Sequence, residues 1–158
     1  MRRVLSMILA LCLIVGLLPA VAAPHAHAAV TTRTIQSMKG TDYELTLEAT
    51  SDGETVSYTK NQEITLEETN EDGTPKTAWV QVPADETDWN AKYYYNADTG
   101  RFTLEMKGVK VTLNCSYAFG VNEKSVTTQG GAMEFVITED SYFENCMAIG
   151  NRTGGSYR

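Results

Sequence analysis

Gly130-Gly131-Ala132-Met133, then Asn145-Cys146-Met147, then Gly154-Gly155-Ser156-Tyr157: the end of this chain carries a pattern that returns. A small-then-apolar pair follows each Gly-Gly (Ala132-Met133, Ser156-Tyr157). A β-branched and aromatic run between them ends in Asn145-Cys146, and Asn114-Cys115 is an earlier copy of that dipeptide. The Asn-Cys copies are spaced more widely than the Gly-Gly copies, and one polar stretch around Val121 to Gln129 reconciles the two. It lengthens the path from Cys115 to Gly130 relative to the path from Cys146 to Gly154. A unit of about two dozen residues that lengthens only in a polar stretch is how one coil of a stacked β-solenoid reads in sequence.

Working outward, residues 109–158 fit β-helix coils. Val109, Val111 and Leu113 alternate, and Glu134 to Thr138 and Ser141 to Phe143 supply further short strands with very short corners. Asparagine at a corner bonds backbone groups and tolerates a left-handed φ, and glycine pairs allow tight corners. Asn114 and Asn145 are therefore expected as a structural ladder, with Gly130, Gly131, Gly154 and Gly155 at the corners. Upstream, residues 84–108 read as a linker and a hairpin. Tyr93-Tyr94-Tyr95 and Arg101 to Met106 flank Asn96-Ala97-Asp98-Thr99-Gly100, where Gly100 supplies a positive φ.

Residues 29–83 alternate polar with apolar, as in Tyr43, Leu45 and Leu47, and turn at Ser51-Asp52-Gly53 and at Asn70 to Pro75. This predicts a small antiparallel β module with one wet face. The expected fold class is all-β: that module, then the start of a parallel β-helix, right-handed by the resemblance given below.

Residues 1–28 read as a secretory signal. Arg2 and Arg3 precede an apolar run from Val4 to Leu18, Pro19 breaks it, and small residues follow, with the favoured cleavage after Ala28. A run of that length is short for a membrane span, so no span is expected once the segment is removed. Its loss would take Arg2 and Arg3 with it and move the net charge from −7 to −9. An acidic chain with no basic cluster argues against nucleic acid or an anionic membrane as partner. His25 and His27 would go too, leaving no imidazole.

Cys115 and Cys146 would remain. Equivalent places in adjacent coils would stack them about 4.8 Å apart, the spacing between neighbouring strands. Such a pair is either a buried thiol ladder or a disulfide, and both readings stay open at this point.

The run Gly130-Gly131-Ala132-Met133 … Ser141-Tyr142-Phe143-Glu144-Asn145-Cys146-Met147-Ala148 … Gly154-Gly155-Ser156-Tyr157 resembles repeats of exported right-handed parallel β-helix proteins. The nearest pattern is the polymorphic outer-membrane and adhesin-like repeat, where a Gly-Gly-Ala-Ile element alternates with a Phe-x-x-Asn element. Here Asn145 follows Phe143 after one residue, and Cys146 stands where that pattern has Asn. The resemblance covers about residues 93–158 and is shared by adhesins, autotransporter passengers and pectate-lyase-like enzymes, so it implies a fold more than a function. It implies a secreted or surface-displayed bacterial protein with a binding or adhesion role.

Candidate chemistry is sparse. Without histidine, neither a serine triad nor a zinc site can be assembled. Glycan binding would use flat aromatic rings, and Trp79, Trp89, Tyr93, Tyr94 and Tyr95 are the richest supply, with Tyr94 facing away from Tyr93 and Tyr95 in a strand. The runner-up is a polysaccharide lyase or glycoside hydrolase using Glu139 and Asp140 as carboxylates and Arg152 as base. A non-catalytic stalk is the third reading. No cofactor is expected. Calcium would be possible wherever acids cluster, for example at Glu67-Glu68 with Asn70 and Asp72-Gly73, a spacing that fits no known loop. The expected partner is a glycan or host-surface ligand. An open coil edge would continue in a longer chain or pair with another one.

Overall fold

The computed structural model describes residues 29–121 and 133–151, and every regular element among them is a β-strand. The secretory-type segment, Arg152, and the Gly130-Gly131 and Gly154-Gly155 pairs lie outside the described residues.

The first half of the chain forms two antiparallel hairpins. β1 (Thr32–Ser37) pairs with β2 (Leu45–Thr50), with Ile35 opposite Leu47. β3 (Ser57–Thr69) pairs with β4 (Pro75–Pro83), with Ile64 opposite Ala78. A third hairpin follows, β5 (Ala91–Asn96) with β6 (Arg101–Lys107). Its turn closes through Gly100 N–H donating to the Asn96 carbonyl at 2.8 Å, with Gly100 at φ 67°. That conformation costs glycine nothing and other residues a clash at Cβ.

From β6 onward, parallel pairing appears beside the antiparallel. β7 (Lys110–Val111) and β8 (Tyr117–Val121) complete one circuit with β6. A second circuit follows in β9 (Glu134–Glu139), β10 (Tyr142–Phe143) and β11 (Met147–Asn151). Each strand of the second circuit lies parallel to its counterpart in the first: β9 on β6, β10 on β7, β11 on β8. Tyr117 is paired with Met147, Met106 with Ile137 and Lys110 with Tyr142. These offsets of 30, 31 and 32 residues bracket the 31 between Asn114 and Asn145. The parallel pairing thus follows the Asn-Cys interval. β6 is at once the second arm of a hairpin and the strand on which β9 lies parallel, so the parallel pairing takes in residues before 109.

The result is all-β with mixed sheets, ordered β11-β8-β1-β2 and β4-β3-β5-β6-β9, with a two-stranded β10-β7 pair. Both larger sheets run across the expected boundaries at 83/84 and 108/109. One hydrophobic cluster joins Ile35, Leu47 and Val80 to Leu104, Met106, Val111 and Phe119. Burying each such side chain contributes roughly 1.5–3 kcal/mol, so hairpins and coils share one source of stability.

The N-terminal hairpins also cover one side of the first coil. β6 is paired by β5, and β8 by β1. Beside β7, Thr112 and Leu113 donate their N–H groups to the Trp79 carbonyl of β4, at 3.0 and 3.4 Å. The opposite side of the first coil is taken by the second.

Candidate functional site

β5 divides its aromatic residues between two sides. Ala91 and Tyr93 are buried. The Tyr93 ring lies 6.3 Å from Phe102, and Tyr95 meets Phe102 edge-on at 5.1 Å. Burial pushes the Tyr93 hydroxyl far above the ordinary phenol range, partly offset by the Arg33 guanidinium, which itself sits 4.8 Å from the centre of the Phe102 ring. Tyr93 and Tyr95 thus belong to the packed side of the sheet.

Lys92 and Tyr94 point the other way. The Lys92 ammonium lies 4.2 Å over the Tyr94 ring, an ordinary cation–π distance. Partial burial raises the Tyr94 pKa, and the neighbouring carboxylates of Glu105 and Glu134 raise it further. Strand register sets Tyr58 of β3 opposite Lys92, and Lys92 opposite Glu105 of β6. Residues directly opposite share one side of a sheet. Trp89 completes the row, its ring 6.3 Å from Tyr58 at 50°. The outcome is a strip of half-buried side chains, Trp89, Tyr58, Lys92 and Tyr94, bordered by Glu105 and by the Lys60–Asp88 ion pair at 2.7 Å.

Two of the five aromatic residues expected at a binding site therefore lie in this strip, Trp89 and Tyr94. Trp79 sits instead at the junction of β4 with the coil, under the Lys110 ammonium at 4.7 Å. Tyr58 and Lys92 are not evident from sequence, since only the pairing of β3 with β5, distant along the chain, brings them to Trp89 and Tyr94.

A groove of about 720 Å³ opens elsewhere, between the outer part of the β3–β4 hairpin (Leu66 to Glu68, Pro75 to Ala78) and the coil corners at Asn114 and Asn145. A second concavity adjoins it through Leu66, Glu67, Leu113 and Asn114. Asn145 holds a left-handed φ of 58°, and its amide donates to the Thr112 carbonyl at 3.4 Å. The corner asparagine thus ties one coil to the next, while Asn114 is an exposed part of the groove wall.

The acidic run at the hairpin tip is engaged in local structure. Asp72 accepts from the Thr74 hydroxyl at 2.6 Å and the Thr74 N–H at 3.0 Å, and these bonds hold its pKa below the ordinary carboxylate range. Glu68 is likewise held low by Lys76, whose ammonium donates to it at 2.8 Å. No three acids, cysteines or histidines converge on one point among the described residues.

Glu139 ends β9 and Asp140 follows it, both exposed, and neither lines the groove. Glu139 faces Lys107 at 3.9 Å, while Arg152 lies outside the described residues. Cys115 and Cys146 stack in adjacent coils as free thiols. Burial, then the proximity of Cys146, pushes the Cys115 thiol up to about 12. Burial raises Cys146 as well, opposed by its hydrogen bond with Cys115.

Compared with known proteins, the chain matches no family model, no curated protein and no solved structure.

Proposed function

We propose that this is a secreted or surface-displayed binding protein, built as a right-handed parallel β-helix whose first coil is covered by the N-terminal hairpins, and that it holds glycans on the strip Trp89–Tyr58–Lys92–Tyr94. The three parallel pairings of β6 with β9, β7 with β10 and β8 with β11 support the architecture. The single observation that carries the binding role is the strip itself. Its aromatic rings stay half-exposed on one side of a sheet whose other side already holds Tyr93, Leu104 and Met106 as core. Ring faces stack on the C–H faces of sugars, while Lys92, Glu105 and the tyrosine hydroxyls supply donors and acceptors for sugar hydroxyls.

The test is a glycan array followed by titration of any hit. Trp89→Ala and Tyr94→Ala should each weaken binding by about tenfold or more, as truncation of an aromatic anchor does, with the melting temperature close to that of the parent. A glycan hit that both variants bind as tightly as the parent would remove this reading.

The groove favours a second reading, a carbohydrate-cleaving enzyme, because Glu67, Glu68 and Glu144 line it. Its chemistry would then belong there and not to Glu139 and Asp140. Release of reducing or unsaturated sugar ends, lost in Glu144→Gln, would establish it.

A further inference from the structure

Among the described residues, the layer formed by β9, β10 and β11 is open on its outer side. β9 and β11 are the outermost strands of the two larger sheets, and β10 is paired by β7 alone. All three therefore present a row of main-chain groups with no strand beyond them among the described residues. Five large apolar side chains are exposed among the described residues, and four of them are here: Phe135 (40%), Ile137 (63%), Tyr142 (56%) and Met147 (59%). Phe135 and Ile137 are in register with Leu104 and Met106 one coil below, which are 0% and 1% exposed. Positions that form the buried interior in one layer are thus laid bare in the next.

The charge of this layer is one-sided. Residues 133–151 contain Glu134, Glu139, Asp140 and Glu144 and no lysine, arginine or histidine. Glu134 accepts from the Thr103 and Thr99 hydroxyls of the β5–β6 hairpin, at 3.0 and 3.2 Å, so it is fixed at the start of the edge. Glu139, 3.9 Å from the Lys107 ammonium, and Asp140 stand exposed at its end.

We infer that β9 is a docking edge for an extended segment of another polypeptide, apolar at alternate positions and basic between them, which adds to the sheet as a further strand. Main-chain bonds along β9 would give affinity, the apolar residues would lie over Phe135 and Ile137, and the basic ones would meet Glu139 and Asp140. A second copy of this chain fits less well. Two copies meeting by their open layers bring acid against acid, which opposes pairing. An open layer cannot stack on the covered side of another copy, because β5, β4 and β1 already occupy the strands there. The inference stands apart from the glycan reading, which concerns a different surface.

The probe is a labelled heptapeptide alternating lysine with valine, titrated by fluorescence anisotropy against the full chain, with a glutamate-for-lysine peptide as control. Amide exchange along β9 is followed in parallel. The lysine peptide should bind, slow exchange across Phe135 to Thr138, and lose about tenfold or more in affinity with Ile137→Lys and with Asp140→Lys, since both introduce like charge. Both sites are exposed, so the variants should keep the parent melting temperature. Equal binding of the two peptides, or indifference to both substitutions, would mean non-specific apolar adhesion and overturn the inference. So would β9 amides already protected without peptide: at every protein concentration this assigns the edge to residues of the same chain, and only at high concentration to a second copy.

Discussion

Tyr117 shows how a single side chain sets a sequence requirement on two strands. A Cβ placed on Gly120 or on Gly150 would run into its ring. These glycines are Cα partners in the parallel β8–β11 pair, so the ring lies across both coils and needs a bare backbone beneath it. Gly120→Ala and Gly150→Ala should each destabilise by about 1–3 kcal/mol through overpacking, read from urea midpoints. Tyr117→Leu made in the Gly120→Ala background should recover part of that loss; a purely additive double variant would refute the ring contact. The Cys115 thiol gives a second prediction. Its folded value of about 12 lies above the ordinary 9.0. Below pH 9 the thiol is protonated in both states, so burial carries no ionisation penalty and stability does not depend on pH through this group. Between pH 9 and 12 the unfolded chain releases a proton that the folded chain keeps, so stability falls as pH rises. Tyr93, also raised by burial, adds to this fall at the alkaline end. Cys115→Ala should therefore flatten the alkaline slope of unfolding free energy by up to about 1.4 kcal/mol per pH unit, the value of one proton. An unchanged slope would mean that the thiol is not desolvated.

Between elements, the join of the β3–β4 hairpin to the coil rests on side-chain amides. Gln81, fully buried, accepts from the Thr59 hydroxyl at 2.9 Å and donates to Asn61 at 2.8 Å and to the Lys110 carbonyl at 3.1 Å. Asn61 then accepts from the Lys110 N–H and donates to the Gly108 carbonyl, at 2.8 and 2.9 Å. The two amides stand in for a strand partner that the very short β7 lacks on this side. Gln81→Leu leaves the Thr59 hydroxyl and the Lys110 carbonyl without these partners. It should cost about 2–6 kcal/mol at roughly 1–3 kcal/mol for each of the two buried orphans, measured by chemical denaturation; a neutral effect would show that water replaces the amide. Nothing in the sequence marks Gln81, because its partners come from β3 and from the distant β7 corner. What is legible is local. The Tyr94–Met106 hairpin with its Gly100 turn, the alternation through Tyr43 to Leu47, and the Asn-Cys interval, which lies within one residue of the offsets between parallel strands, all depend on neighbours in sequence or on repetition. The pairings of β1 with β8 and of β3 with β5 are set by burial between distant segments, which no periodicity encodes. The candidate site is half legible for the same reason: Trp89 and Tyr94 stand out by residue type, Tyr58 and Lys92 only by register.

At the scale of the whole molecule, hairpins and coils unfold together or separately depending on where their buried surface lies. Here it lies between them. Tyr93 of β5 is opposite Leu104 of β6, and Leu104 is in register with Phe135 of the second coil, so one row of residues crosses the hairpin and both turns of the coil. β1 and β8 share another sheet. Neither part has a core of its own to retain when the other is lost, and cooperative two-state behaviour is the expected consequence. Two probes report on the two parts: the fluorescence of Trp79 and Trp89 for the hairpins, and maleimide labelling of Cys115 and Cys146 for the coils. Their transitions in urea should coincide. Leu104→Ala removes a fully buried side chain from the shared row and should lower both midpoints equally, at about 2–5 kcal/mol. If instead the thiols become reactive at a urea concentration where tryptophan emission is still native, and Leu104→Ala moves only one of the two curves, then the sheets that cross residues 83/84 and 108/109 do not transmit stability and the coils are a separate unit.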